Sequence, residues 1–288
     1  MCIRDRPDLW DVNISKWSRD SAPSRFQREG YQESYISFVK SLTTKPVVGV
    51  GRFTSPDTMV SQIKRGVMDM IGAARPSIAD PFLPKKIEEG RIDEIRECIG
   101  CNICVMSDQI SVPIRCTQNP TMGEEWRRGW HPERIEPRKS DDGILVVGGG
   151  PSGLECALAL GQRGYRVIVS ESLSELGGRV SRESSLPGLS EWGRVRDYRV
   201  HMLDRIPDVS VYRENTLSAE EIIEFSSKDH FDYSHVMLAT GSYWRNDGIG
   251  RNHREPVPGL EKIDVFTPDD IMNGISVKGR VVIYDDDH

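Results

Sequence analysis

Four of the six cysteines in this 288-residue chain fall within nineteen residues, and this cluster constrains the chain more than any other feature. Cys98, Cys101 and Cys104 follow the spacing C-x2-C-x2-C, and Cys116 comes twelve positions later. Such crowding is unlike a disulfide framework and indicates a metal site in a reducing compartment. Three closely spaced thiolates can wrap three corners of a [4Fe–4S] cluster while a distant one completes the fourth. Zinc bound by four thiolates, or thiols without a metal, is the competing interpretation.

A glycine-rich loop constrains the second half of the chain. The run Gly148–Gly153 fits G-x-G-x-x-G and lies between a predicted strand, Ile144–Val147, and a predicted helix, Gly153–Arg163. The next predicted strand, Arg166–Val169, is followed by Glu171. Such a loop lets a pyrophosphate approach the helix N-terminus, and an acid about 20 residues further on can accept a ribose hydroxyl. This context predicts a Rossmann-like domain that binds an adenine dinucleotide, and not a simple βα turn.

The candidate residues for this dinucleotide are three loop glycines, one acid and three residues at further points of close approach: Gly148, Gly150, Gly153, Glu171, Arg179, Thr240 and Gly241. The last two lie at the end of another predicted strand, Ser234–Thr240. A carboxylate at position 171 argues against recognition of a 2′-phosphate, which an arginine would bind.

Charge and hydropathy exclude several classes of protein. The net charge of −6 and the pI of about 5.6 argue against a broad surface for nucleic acid or anionic membranes. No apolar stretch approaches the ~20 residues that span a bilayer, and no signal peptide opens the chain. We therefore expect a cytoplasmic protein of about two domains.

The first ninety residues show a βαβ pattern. Strands are predicted at Leu9–Ile14, Lys45–Gly51 and Met68–Ala74, with a helix at Ser55–Lys64 that Ser55 caps. Glycines and arginines at the strand ends suit phosphate-binding loops at the carboxyl face of a barrel.

Both ends of the chain are abrupt. Residues 1–8 are expected to be an artefact or a leader, and Arg280–Tyr284 is predicted to be a buried parallel strand. We expect an internal fragment of a longer protein.

The order of the motifs resembles the iron–sulfur flavoproteins related to old yellow enzyme. The motifs are Gly51-Arg52-Phe53, the run A-R-P-S-I-A-D-P from Ala74 to Pro81, the cysteine cluster and the glycine loop. The tract from Cys116 to Glu133 is similar to the amine-oxidising branch, which includes trimethylamine, dimethylamine and histamine dehydrogenases and dimethylglycine-demethylating proteins. The resemblance covers the chain from about Leu9 to its last residue.

This resemblance implies an α/β chain with parts of three domains. Residues 9–90 would be the C-terminal part of an FMN-binding TIM barrel, and residues 91–136 a [4Fe–4S] segment. Residues 141–275 would form a Rossmann-like FAD/NAD(P)-binding domain that holds FAD or ADP. Residues 279–288 would begin a truncated third nucleotide-binding domain.

The resemblance also implies roles for residues of the first half. Ala74 and Arg75 would hold the FMN phosphate, and Gly51 and Arg52 would assist them.

Three residues take candidate catalytic roles by the same resemblance. Trp17 matches a tryptophan of the substrate bowl, where an aromatic face can bind a substituted ammonium. Asp20 matches a carboxylate that orients the catalytic histidine. Asp108 falls where trimethylamine dehydrogenase has a second bowl aromatic, so it favours a substrate with a polar or second cationic group. The alternatives are packing for Trp17, a loop cap for Asp20 and a solvated acid for Asp108.

The implied function is the oxidation of an N-methylated or other small amine, with electrons passing through the cluster to an external carrier such as an electron-transfer flavoprotein. The full-length parent would be a homodimer, and this part alone would be inactive because a barrel closes with about eight strands. One alternative is an NAD(P)H-dependent 2,4-dienoyl-CoA or enoate reductase, whose second and third cysteines usually lie one residue further apart. The non-enzymatic alternative is an electron-transfer or nucleotide-binding module.

Overall fold

The computed structural model describes residues 7–14, 26–131, 135–226 and 233–285, which contain two parallel β-sheets. The chain divides into two compact units, Met1–Ala239 and Thr240–His288, and both sheets belong to the first unit. No helix of the described ranges combines the length and the apolar character needed to cross a bilayer.

The first sheet has three parallel strands in the order β1-β2-β3. They are β1 (Trp10–Val12), β2 (Val47–Val50) and β3 (Met70–Gly72), and the helices around them are α1 (Glu33–Ile36) and α2 (Pro56–Lys64). Its core contains Ile36, Val47, Phe53, Met59, Val67, Met68, Leu83 and Ile95. Parallel pairing of successive strands confirms the predicted βαβ pattern.

One predicted strand end and one predicted helix cap in this part need correction. The strand predicted at Met68–Ala74 ends at Gly72, and Ala74 begins α3 (Ala74–Ala79), because Pro76 is tolerated in the first turn of a helix. Ser55 precedes α2 in an extended conformation, but its side chain makes no capping hydrogen bond. Instead, Glu29 Oε2 accepts hydrogen bonds from the backbone N–H groups of Thr54 and Ser55, each at 3.1 Å.

Short helices join the two sheets. They are α4 (Leu83–Glu88), α5 (Ile103–Gln109) and α6 (Glu125–Arg128). Several prolines lie in this segment, and they limit the length of its helices.

A buried ion pair fixes the start of this segment. Asp80 Oδ2 lies 2.8 Å from Lys86 Nζ, and the backbone N–H of Arg96 donates to the same oxygen at 2.8 Å. Lys86 Nζ also donates to the carbonyl of Glu94. The chain before the first clustered cysteine is therefore tied to α4.

The second sheet is parallel, with strands in the order β6-β5-β4-β7. Its strands are β4 (Gly143–Val147), β5 (Arg166–Ser170), β6 (Val209–Tyr212) and β7 (His235–Leu238), and its helices are α7 (Pro151–Gln162), α8 (Arg179–Glu183), α9 (Gly193–Leu203) and α10 (Ala219–Ser226). Helix α7 begins at Pro151, two residues before the prediction, because proline suits the first helical position. Cys156, on α7, is partly buried against the core of this sheet.

The described part of the second unit contains a 3-10 helix, Leu260–Lys262, and a short α-helix, α11 (Pro268–Met272), which starts at a capping box formed by Thr267 and Asp270. The prediction of a buried strand at Arg280–Tyr284 is wrong for the described residues of this unit, which form no strand there. Val282 and Ile283 are each 88% exposed. A run of apolar residues becomes a parallel strand only where neighbouring elements cover it, and this run is uncovered.

We expect Lys86→Met to lower the free energy of unfolding by about 3–5 kcal/mol, because it leaves the buried Asp80 carboxylate without its cation. Chemical denaturation followed by circular dichroism measures this loss. Lys85→Met is the matched control, since the neighbouring lysine forms an exposed ion pair with Glu89 and should change stability little. Equal losses in the two variants would contradict the assignment.

Candidate functional site

The four clustered cysteines, predicted as metal ligands, line one small cavity. Cys104 lies in the first turn of α5, and the other three lie in the loops on either side of that helix. Two residues between the first and third cysteines adopt the left-handed conformation: φ is +66° at Gly100 and +60° at Asn102. The structure therefore brings the whole predicted set together.

Polar groups of the loops point at the sulfur atoms. The backbone N–H of Gly100 donates to Cys98 Sγ at 3.5 Å, and that of Gln118 donates to Cys116 Sγ at 3.3 Å. Thr117 Oγ1 lies 3.2 Å from Cys101 Sγ. Hydrogen bonds of this kind orient and tune thiolates that bind a metal.

The cysteine thiols lie in a poorly solvated place. Burial raises the pKa of Cys98, Cys104 and Cys116 above the ordinary thiol value. Within the described ranges, no three or more His, Cys, Asp or Glu side chains have the spacing of a single-ion site.

The first sheet holds the cysteine loop from one side. Thr54 Oγ1 accepts a hydrogen bond from the Cys98 backbone N–H at 3.0 Å, and Arg52 Nη1 donates to the Cys98 carbonyl at 3.2 Å. Both residues follow the carboxyl end of β2. Arg75, which follows β3, donates through Nη1 to Asn102 Oδ1 at 2.6 Å and lines the cavity. The carboxyl edge of this sheet thus contacts the predicted metal-binding segment.

The residues predicted to hold an FMN phosphate lie at this same edge. Arg52 is only 4% exposed, and its second terminal nitrogen donates to the Gln27 carbonyl at 2.9 Å. Its Nε has no hydrogen-bond partner among the described residues. Ala74 is exposed at the start of α3, and a phosphate role for it and Arg75 stays a prediction.

Gly51 has a packing explanation that the sequence analysis missed. A Cβ at position 51 would lie 2.9 Å from the Gly30 Cα, and the Gly30 N–H donates to the Gly51 carbonyl at 2.9 Å. The glycine is therefore required for contact between two chain segments, whether or not a phosphate approaches it.

The glycine loop has the geometry that its sequence predicts. Gly148 has a φ of +106°, so it makes the turn after β4. A Cβ on Gly153 would lie 1.8 Å from the Gly148 carbonyl oxygen, so this glycine allows the helix to pack on the turn. A Cβ on Gly150 would meet no atom within 4 Å, which leaves open space at the N-terminus of α7. These are the three roles of glycines in a dinucleotide-binding turn.

Glu171 binds the loop itself. Its Oε2 accepts a hydrogen bond from the Gly149 backbone N–H at 2.6 Å, and Oε1 accepts one from Leu173 N at 2.8 Å. A role toward a ribose stays a prediction, while a role in holding the glycine loop is visible. Arg179 begins α8 directly after Gly178, whose added Cβ would lie 3.3 Å from the Gly150 Cα. Arg179 therefore starts a helix beside the loop.

The remaining predicted residues are not assembled into a site. Trp17 and Asp20 lie outside the described residues. Asp108 is exposed on α5 and does not line the cysteine cavity. Thr240 and Gly241 are exposed at the start of the second unit, and Gly241 has a φ of +84°. Roles for these residues stay predictions.

The sequence analysis missed a buried polar network next to Cys116. Arg96 and Arg199 both contact Glu155, with Arg199 Nε 2.7 Å and Arg96 Nη1 3.3 Å from Glu155 Oε2. Both arginines also donate to the carbonyl of Gln118. The sequence does not predict the burial of these two arginines, because most arginines in proteins are exposed.

Two parallel α/β segments and a cavity lined by four cysteines are typical of oxidoreductases that bind nucleotide cofactors. Residues 2–94 match the NADH:flavin oxidoreductase / NADH oxidase family, and residues 146–212 match the NAD(P)-binding Rossmann-like domain. These matches confirm the resemblance of the chain to the flavin-dependent oxidoreductases related to old yellow enzyme.

Similar proteins act on amines. The chain is 44% identical over 287 residues to dimethylamine dehydrogenase of Hyphomicrobium sp. (strain x), a match that covers 96% of this chain and 38% of that protein. It is 58% identical to 6-hydroxypseudooxynicotine amine oxidase from Pseudomonas geniculata N1, with a TM-score of 0.87, covering 94% of this chain and 40% of that one. It is 53% identical to histamine dehydrogenase from Rhizobium sp. 4-9, with a TM-score of 0.88, covering 94% of this chain and 38% of that one. The chain thus spans about two fifths of the length of these relatives.

Proposed function

We propose that this chain is part of an amine dehydrogenase that uses FMN and a [4Fe–4S] cluster. The observation that carries the proposal is the contact between the carboxyl edge of the first sheet and a cavity lined by four cysteines. In a flavin-dependent family, such contact would bring a flavin site next to a cluster site, as electron transfer between them requires. The similarity to proteins that oxidise amines supports a small amine as the substrate.

The flavin site fits an anionic group at the end of the first sheet. Arg75 would bind the phosphate of FMN, because its guanidinium lies at the carboxyl edge of the first sheet and can form charge-assisted, bidentate bonds to phosphate oxygens. Arg52 would contribute the N–H that has no partner in the described structure. Bound FMN would supply the two-electron oxidation of the amine carbon, which leaves an iminium that water hydrolyses.

The cluster site fits the cysteine chemistry. Four thiols line one cavity, and loop N–H groups point at two of the sulfurs. Bound metal would lower the pKa values that burial raises, because a coordinated thiol is deprotonated. A [4Fe–4S] cluster would supply one-electron transfer from the flavin to an external carrier, such as an electron-transfer flavoprotein.

The glycine loop would hold FAD or ADP. The open space at Gly150 leaves room for a pyrophosphate at the N-terminus of α7. The carboxylate of Glu171 at this loop favours an adenosine without a 2′-phosphate. We keep a cytoplasmic location as part of the proposal, since thiols of this kind stay reduced there.

Anaerobic reconstitution with iron and sulfide should give about four of each per chain and an EPR signal on reduction. Cys116→Ser should lose most of the bound iron, because Cys116 lines the cavity. Cys156→Ser is the matched control, since Cys156 packs against the core of the second sheet and should leave the iron content unchanged. One zinc per chain without sulfide, or full iron loading of Cys116→Ser, would contradict the cluster.

We expect Gly150→Val to weaken ADP binding at least tenfold without loss of folding. The first added carbon would enter open space, so it hinders a diphosphate and not the protein. Calorimetry with ADP measures the change, and circular dichroism checks the fold. Equal affinity of the variant and the wild type for ADP would contradict the proposal that this loop binds a diphosphate.

The substrate class is tested on the whole protein. Anaerobic mixing with histamine or dimethylamine should bleach the flavin absorbance, because these amines would donate two electrons. A 2,4-dienoyl-CoA thioester should instead reoxidise an enzyme reduced by NAD(P)H if the protein is a reductase. Reoxidation by the thioester without bleaching by any amine would replace the amine proposal with the reductase alternative.

A further inference from the structure

Two buried arginines converge on one peptide group beside Cys116. Arg96 is 5% exposed and Arg199 is 3% exposed, and they come from different parts of the fold. Arg96 lies in the loop before the first clustered cysteine, and Arg199 lies on α9. Arg96 Nη1 donates to the Gln118 carbonyl oxygen, and Arg199 Nη2 lies 3.4 Å from the same oxygen.

The residue that both arginines bind also contacts a cysteine. The backbone N–H of Gln118 donates to Cys116 Sγ at 3.3 Å. The guanidinium groups that bind the Gln118 carbonyl therefore hold the residue whose N–H reaches this sulfur, and their charge acts in a poorly solvated place.

The network carries more positive than negative charge. Glu155, on α7, is the carboxylate that pairs with both arginines. The other group against Arg96 is the neutral ring of Tyr198, whose centroid lies 4.8 Å from the guanidinium carbon. Two guanidinium groups and one carboxylate leave a net charge of about +1, and burying unpaired charge is costly. An anionic group next to the network would offset this cost.

We propose that Arg96 and Arg199 are positioning residues that raise the reduction potential of a cluster bound by the four cysteines, acting through their buried charge and through Gln118, whose backbone N–H donates to Cys116 Sγ. The inference rests on the cluster of the proposed function. It assigns to these arginines a redox role, beyond their packing between the segments.

The sign follows from charge. Reduction adds one electron and no proton or bond, so the thiolate-bound cluster becomes more negative. Nearby positive charge and N–H donors to sulfur favour the more negative state, and net charge and such hydrogen bonds set cluster potentials. Glu155 acts in the opposite direction, because its carboxylate offsets part of the positive charge.

The test is a redox titration of the reconstituted protein, with dithionite as the electron donor, mediator dyes and EPR detection. Arg199→Gln should lower the equilibrium constant for reduction about tenfold, which is 59 mV for a one-electron couple. Glu155→Gln should raise it, since the amide keeps the size of the side chain and removes the negative charge. Arg199→Lys should fall between Arg199→Gln and the wild type.

Arg205→Gln is the matched control. Arg205 follows the same helix and pairs with Glu94 of the cysteine-bearing segment, but at an exposed site where solvent screens its charge. Its potential should match that of the wild type. Should Arg199→Gln fail to fold, the rise in Glu155→Gln still supports the proposal and an unchanged value overturns it.

The outcomes separate this inference from the proposed function. If the reconstituted wild-type protein binds no iron and sulfide, both the proposed function and this inference are wrong. A wild-type cluster with equal potentials in all variants, or shifts of the same sign in Arg199→Gln and Glu155→Gln, overturns the redox role alone, because a merely structural change has no reason to follow the sign of the charge.

Discussion

Guanidinium groups that donate to backbone carbonyls hold the cysteine-bearing segment from two sides. Arg52 binds the carbonyl of Cys98 from the first sheet, while Arg96 and Arg199 bind the carbonyl of Gln118 next to Cys116. Loops of this kind have no ladder of their own to satisfy their carbonyls, so side-chain donors must do it. Ile99 adds an apolar contact to Val180 and Val195 of the second α/β segment. The position of all four thiols depends on these few contacts.

The glycine loop could be predicted from the sequence almost completely, because each of its glycines has a local cause. The turn at Gly148, the open space at Gly150 and the contact of Gly153 are all set by backbone sterics within a few residues. Convergence of the cysteines could also be predicted, since three of them lie within seven residues. The spacing of residues in the sequence is therefore sufficient to predict a site whose residues are close neighbours along the chain.

Contacts between distant segments could not be predicted in this way. Gly51 is a glycine because Gly30 packs on it, and no spacing in the sequence relates these two positions. Glu171 has the residue type and position of a ribose acceptor, yet its carboxylate binds the loop that it follows. The apolar run Arg280–Tyr284 has the composition of a strand, but composition does not supply the neighbours that a parallel strand needs.

The overall charge of the chain conceals the local field at the cysteine cavity. The chain carries a net charge of −6, which argues against a broad surface for polyanions. Around the cavity, however, Arg75 lines the wall and three further arginines bind the loops that carry the cysteines. A buried guanidinium cannot lose its proton at physiological pH, so its charge must be offset by an anion nearby. The proposed FMN phosphate at the sheet edge and the proposed thiolate-bound cluster at the cavity would both be anionic, and each would stabilise the cations that position it.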